Sequence, residues 1–333
     1  MSALGGDRGP SVAGEGGIGQ ARGGLPGAVR VREVGPRDGF QNEPETIPTD
    51  RKIELINALA RTGLRRLEVT SFVRAEVIPQ LADAGAVLAG IDVPEQVSVS
   101  VLIPNERGLE HALALREKAR ADRPAFDEIN VFLSASETHN RKNVNRTIAE
   151  SLAGVSAVLG RAREAGLRCE GVIATSFGCP YEGHVPPERV LEIAARLRDA
   201  GAQEVGFGDT TGMANPRQVR EFFAAARSSL GSELELTAHF HNTRGQGLAN
   251  VLAALGAGVE SFESSFAELG GCPVPAGATG NIATEDLVSM LHEMGVHTGI
   301  DLPALLACAR RVQEILGRPL HSHTLVAGPV DWR

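Results

Sequence analysis

Glu204–His241 reads EVGFGDTTGMANPRQVREFFAAARSSLGSELELTAHFH. Its first residues, Glu204–Gly208, predict a short strand, and a turn follows at Asp209-Thr210-Thr211-Gly212. Asn215-Pro216 then sets an N-cap residue before a proline at the first helical position, opening an amphipathic stretch that runs to Leu230. Leu236–Phe240 predicts a second strand. Strand, helix and strand in that order imply a parallel pair joined by a crossover helix. Chemically capable residues sit at the C-terminal ends of both strands: the Asp209–Gly212 turn on one, His239 and His241 on the other. Barrel active sites are assembled at that end.

The same unit repeats along the chain. Strands are expected at Val29–Val34, Arg66–Thr70, Val97–Ile103, Glu128–Leu133, Cys169–Ala174, Glu204–Gly208, Leu236–Phe240 and Glu260–Ser264. Helical patterns lie between them, as at Asp50–Thr62, Val144–Ala165, Pro187–Ala200 and Pro216–Leu230. Thr49 or Asp50 is expected to cap the first helix, and Gly63 and Gly201 stand where C-terminal glycine caps belong. Eight such units over roughly 250 residues are the size of an α/β TIM (β/α)8 barrel. A doubly wound open sheet shares the alternation; the placement of the chemistry at strand ends favours the barrel. Residues 1–27, rich in Gly, Ala and Ser, read as a disordered tail. Residues 28–333 read as a single catalytic barrel domain with a C-terminal helical extension.

A net charge of −8 over 333 residues argues against nucleic acid or an anionic membrane surface as partner, and 4% aromatic content leaves little for stacking on bases. The four cysteines, Cys169, Cys179, Cys272 and Cys308, form no C-x-x-C pair, so neither a disulfide framework nor a structural zinc site is expected. No apolar run approaches the ~18 residues of a membrane span. The N-terminus lacks the apolar core of a secretory signal, and a cytoplasmic location is the expectation.

His239-Phe240-His241 puts two imidazoles on one face of a strand, half of a divalent-metal site, although structural histidines share that spacing. In Arg37-Asp38 the carboxylate offers a hard oxygen ligand and the cation an oxyanion partner; a plain loop ion pair is the other reading. Cys272 lies in a glycine-rich loop and is either a proton-exchanging thiol or an inert filler. Glu68, inside an apolar strand, needs a partner, and Arg37 on the neighbouring strand end can supply it. Gly206-Phe207-Gly208 lacks the third glycine of a dinucleotide fingerprint, and no Walker A motif occurs. The helix opening near Thr284 offers an anion-binding N-terminus, weakened by its own Glu285 and Asp286.

Together these motifs resemble the 3-hydroxy-3-methylglutaryl-CoA lyase family, within the wider group of barrel metallolyases and Claisen-type synthases. The resemblance runs from Val31 to Leu291. It rests on Glu33-Val-Gly-Pro-Arg-Asp-Gly-Phe-Gln-Asn-Glu43, Glu68-Val-Thr-Ser-Phe-Val73, Ser134-Ala-Ser-Glu137 with Lys142-Asn143, Gly206–Pro216, His239-Phe-His241, Leu269-Gly-Gly-Cys-Pro273 and Gly280–Leu287. It implies metal ligands at Asp38, His239, His241 and Asn281, and catalytic residues at Arg37, Asp38, Glu68, His239 and Cys272. Substrate contacts are expected at Arg37, Gln41 and Thr211, and at Arg244 through its charge. The implied cation is Mg²⁺ or Mn²⁺, the implied substrate an acyl-CoA, and the implied assembly a homodimer. The implied reaction is cleavage of 3-hydroxy-3-methylglutaryl-CoA to acetoacetate and acetyl-CoA, with either His239 or Asp38 taking the hydroxyl proton.

Three residues depart from the pattern. Asn242 stands where aspartate is usual, Arg244 where tyrosine is usual, and Glu263 where a shorter aspartate is common. Arg244 could hold an extra carboxylate or a CoA phosphate, or simply face solvent. The departures leave the acyl group open, including a different 3-hydroxy-3-alkylglutaryl-CoA. A synthase condensing acetyl-CoA with a 2-keto acid is the competing enzyme reading, and a catalytically silent scaffold the non-enzymatic one.

Overall fold

The structure is a computed structural model that describes residues 24–117, 124–271 and 279–332. Eight strands close into a parallel barrel in sequence order: β1 (Arg30–Glu33), β2 (Arg66–Ser71), β3 (Ser98–Leu102), β4 (Glu128–Ser134), β5 (Arg168–Ala174), β6 (Glu204–Asp209), β7 (Glu235–Phe240) and β8 (Ser261–Ser264). β8 returns to β1, with Arg30 opposite Ser261 and Glu33 opposite Ser264. All eight expected strands are present, with ends shifted by a residue or so. The outer ring comprises α1 (Thr49–Leu59), α2 (Ala84–Gly90), α3 (Glu106–Glu117), α4 (Glu137–Val144), α5 (Ile148–Glu164), α6 (Pro187–Asp199), α7 (Pro216–Leu230) and α8 (Gly247–Gly256). After β8 come α9 (Thr284–Glu293), α10 (Leu302–Leu316) and α11 (His323–Ala327). Among the described residues no helix is long and apolar enough to cross a membrane.

Two local expectations change. The helix expected at Val144–Ala165 starts later, as α5 from Ile148, because Val144 ends α4, Asn145 turns left-handed (φ 53°) and Thr147 opens α5 with a capping box to Glu150. Neither Thr49 nor Asp50 caps α1: Pro48 holds the cap position, and the Thr49 hydroxyl donates instead to Asp83 at 2.6 Å. Asn215 caps α7 as expected, accepting from the Gln218 N–H. Of the predicted tail, residues 1–23 lie outside the described residues. Gly24–Gly27 are described; Leu25 packs on the core and Gly27 accepts a hydrogen bond from His297 at 2.9 Å.

Alternation along the strands sorts the side chains. Phe207 on β6 points outward and meets Phe222 of α7 at 5.0 Å between ring centroids. Residues of the opposite parity face the barrel interior, and much of that interior is ionic. Arg32 of β1 donates to Glu263 (2.9 Å), Glu128 (3.1 Å) and Glu204 (3.3 Å), and also contacts Glu170. Arg66 of β2 joins Glu128 at 2.7 Å and bonds Glu204. Burying such charges is tolerable only because each faces an opposite one.

Candidate active site

The site is assembled at the C-terminal mouth of the barrel. After β1 the chain makes a wide helical turn, Gly35–Gly39. Glycine is required at its start, since a Cβ on Gly35 would lie 2.5 Å from the Phe266 ring and 2.7 Å from Glu33 Oε1. The turn holds Arg37 and Asp38 over the mouth. Arg37 Nε donates to Glu68 Oε2 at 2.8 Å, and Nη1 donates to Asp38 Oδ1 at 2.8 Å. Glu68, fully buried on β2, thus has the partner its position demands, and Asn130 Nδ2 adds a second bond at 3.1 Å. Burial pushes the Glu68 carboxyl up, against the pull of Arg37.

Asp38 Oδ1 also accepts from Gln41 Nε2 at 3.2 Å, and Oδ2 accepts from Asn281 Nδ2 at 2.7 Å. Burial alone would raise this carboxyl; Arg37 and the two histidines hold it below the usual range. β7 presents His239, and His241 follows one residue beyond the strand on the same face. Their Nε2 atoms are 3.1 Å apart. Asp38, His239 and His241 each place one ligand atom within 4.8 Å of the others. Burial and the neighbouring His239 push His241 down to about 3, favouring the neutral imidazole a metal needs. His239 Nδ1 lies 2.9 Å from Glu263 Oε2; burial opposes the charged imidazole, but that carboxylate raises it above the usual histidine range.

Asn281 closes the cluster. Its backbone bridges His241, its Nδ2 donates to Asp38 and to Leu269 O (3.0 Å), and its Oδ1 is buried without a partner among the described residues. An orphaned carbonyl oxygen beside one carboxylate and two imidazoles is the donor set of a hard-to-borderline divalent cation with room for water or substrate oxygens.

A cavity of about 450 Å³ opens beside this cluster. Arg37, Asp38, Gln41, His239 and His241 line it, as do Lys142, Asn143, Tyr181 and Thr210. Lys142 Nζ lies 5.0 Å from the Tyr181 ring centroid. Cys272 lies outside the described residues; Gly271, just before it, lines the cavity. Thr211 is buried, with its hydroxyl donating to Gly178 O at 3.4 Å, and its neighbour Thr210 takes the place on the cavity wall. Arg244 is exposed and clasps the turn after β6, donating to Thr211 O (2.9 Å) and Gly212 O (2.7 Å). Asn242 Nδ2 donates to Glu268 at 3.1 Å.

Asp209, at the end of β6, escaped the sequence reading as a site residue. Its Oδ1 accepts from the N–H groups of Met213 (2.7 Å) and Ala214 (3.0 Å), while Oδ2 is buried without a partner among the described residues. Burial pushes it up to about 7. Its signals in the sequence were its place at a strand end, in the Asp209–Gly212 turn, and its membership of the Gly206–Pro216 motif.

The HMGL-like family model matches residues 28–312. A hydroxymethylglutaryl-CoA lyase of Bacillus subtilis is 45% identical over 300 residues, 90% of this chain and 97% of that protein. A mitochondrial hydroxymethylglutaryl-CoA lyase of Rattus norvegicus is 42% identical over 298 residues, 90% of this chain and 89% of its own. The crystallised HMG-CoA lyase of Acinetobacter baumannii, in complex with coenzyme A and 3-methylmalate, superposes with a TM-score of 0.85 at 41% identity, covering 92% of this chain and 97% of that one.

Proposed function

Because the chain belongs to the HMGL-like family, we propose that its barrel cleaves 3-hydroxy-3-methylglutaryl-CoA to acetoacetate and acetyl-CoA. The observation that carries this reading is the convergence of Arg37, Asp38, His239, His241 and Asn281 on one buried cluster beside the cavity. The complex of the Acinetobacter baumannii relative with coenzyme A supports an acyl-CoA ligand.

Asp38, His239, His241 and Asn281 Oδ1 would hold Mg²⁺ or Mn²⁺, oxygen-tolerant cations that accept open coordination. The chemistry such a cation supplies when bound is Lewis-acid polarisation of the substrate's tertiary hydroxyl. The residues do the rest. A base removes the hydroxyl proton, C3 becomes the ketone of acetoacetate, and the C2–C3 electron pair moves into the thioester as an enolate. Arg37 is fixed by Glu68 and Asp38, yet each terminal nitrogen keeps a second N–H that can face the enolate oxygen. Protonation of C2, assigned to Cys272 by the family resemblance, completes acetyl-CoA.

Asp38 makes a poor base, since Arg37, Gln41 and Asn281 occupy its oxygens and hold it ionised. Asp209, buried and pushed up to about 7, with no partner for Oδ2 among the described residues, is the stronger candidate, since a His239 that binds the cation through one ring nitrogen and donates to Glu263 through the other has no lone pair left to take a proton. Arg244 and Thr211, engaged with backbone carbonyls, support the turn after β6. Family analogy suggests a homodimer, which sedimentation would measure. Buried, free Cys169, Cys179 and Cys308 suit a reducing compartment, with the cytoplasm as the default.

The test is incubation of the protein and Mg²⁺ or Mn²⁺ with 3-hydroxy-3-methylglutaryl-CoA, following acetoacetate and acetyl-CoA. No cleavage, with free CoA released from acetyl-CoA and a 2-keto acid, would replace the lyase by the synthase. Cleavage only of a longer 3-hydroxyacyl-CoA would keep the reaction and change the substrate.

A further inference from the structure

Beneath the candidate ligands lies an ion pair that the reaction itself does not use. Arg32 is fully buried in the barrel interior, and its Nη1 donates to Glu263 Oε1 at 2.9 Å. The other oxygen of Glu263, Oε2, sits 2.9 Å from His239 Nδ1. The Glu263 side chain is 3% exposed, and each of its oxygens already has a protein partner. A guanidinium can only donate, and a carboxylate facing it can only accept. Nδ1 must therefore carry a proton in either charge state, and in the neutral ring that leaves the Nε2 lone pair of His239 facing His241 and Asp38. We propose that Arg32 and Glu263 are positioning residues that fix the tautomer and ring orientation of His239 for cation binding. Glu263 suits the task through its length: it spans from Arg32 on the neighbouring strand to His239 on the other side. Carboxylates behind metal-bound histidines commonly tune ligand basicity in this way. The consequence for metal binding rests on the metal reading above; the tautomer does not.

E263Q separates this role from a merely structural one. The isosteric amide must turn its carbonyl to Arg32, which only donates, and so presents its NH₂ to His239 Nδ1. Nδ1 then has to accept, and the imidazole proton moves to Nε2. Long-range ¹H–¹⁵N spectra of the metal-free protein, at a pH where the ring is neutral, report the tautomer directly. The wild type is expected to show Nδ1–H and E263Q to show Nε2–H, with Mn²⁺ affinity, read by electron paramagnetic resonance, falling about 10–100-fold. In R32M/E263Q the amide is free to turn its oxygen to His239, and Nδ1–H should return. If that variant does not fold, R32M/E170Q/E263Q also removes a carboxylate that Arg32 compensates. Wild-type tautomer and Mn²⁺ affinity in E263Q would overturn the inference. Nε2–H persisting without Arg32 would overturn the part given to Arg32. Neither readout involves substrate, so failure to cleave 3-hydroxy-3-methylglutaryl-CoA alongside the expected tautomers would count against the proposed substrate alone.

Discussion

Asp209 ends β6 between Gly208 and Thr210, which line the cavity, with one oxygen bonded to two backbone N–H groups and the other without a partner among the described residues. A carboxyl titrating near 7 serves as a base once deprotonated, so the rate should rise as pH passes through neutrality. D209N is expected to lower kcat by about 10²–10⁴-fold and to abolish that rising limb. A pH profile of kcat/KM that keeps the limb in D209N would reduce Asp209 to a support for the turn at Met213. For Cys272 the expectation is different: C272A should leave Mn²⁺ and substrate binding nearly intact while turnover drops by orders of magnitude. Calorimetric titration beside steady-state rates separates the two, and wild-type-like turnover would remove Cys272 from the mechanism. At this scale the sequence was legible where a residue's role follows from its strand position. Asp38, His239 and His241 meet at the strand ends, and Asn281, which the family resemblance alone pointed to, joins them. It was not legible where orientation decides. Arg244 could have faced substrate or solvent, and only the path of the turn after β6 brings two carbonyl oxygens to its guanidinium.

Elements were easier to read than their junctions. Each strand announced itself through a short apolar run bounded by turn residues, and the crossover helices through periodicity. The wide turn Gly35–Gly39 gave no such signal, although it carries both Arg37 and Asp38. Its conformation depends on how closely Phe266, from far along the chain, approaches Gly35. G35A should therefore act at a distance from its own atoms. Crowding against an aromatic ring typically costs about 1–3 kcal/mol, and the displaced turn should weaken Mn²⁺ binding as well. Thermal unfolding and Mn²⁺ titration of the same variant check both; an unchanged Mn²⁺ affinity would show that the turn tolerates the shift.

Over the whole molecule, buried carboxylates pull stability in two directions. Burial pushes Glu33 up to about 8 and Glu285 up to about 7, well above an unfolded glutamate near 4.3. Between those values the folded protein holds protons that the unfolded chain has released, so stability falls as pH rises through about 4.5 to 8. The Arg32-paired Glu263 is depressed to about 2 despite its burial, and its contribution is present above about 4.5 and lost as pH falls toward 2. Urea unfolding across pH should give a maximum at mildly acidic pH. E33Q should flatten the alkaline slope, and an unchanged slope would acquit Glu33. None of this was readable along the chain. Glu128, Glu170, Glu204 and Glu263 each lie on a different strand, and only barrel closure brings them around Arg32.

That ionic interior also bears on how the molecule responds to temperature. Unfolding a typical domain raises the heat capacity because apolar surface meets water, whereas newly hydrated polar surface lowers it. A barrel lined with guanidinium and carboxylate groups should show a smaller increment per residue than the usual ~12–15 cal/mol/K. Its stability curve should accordingly be broad and shallow, declining slowly on warming and on cooling alike. Scanning calorimetry would show whether the curve is flattened in this way.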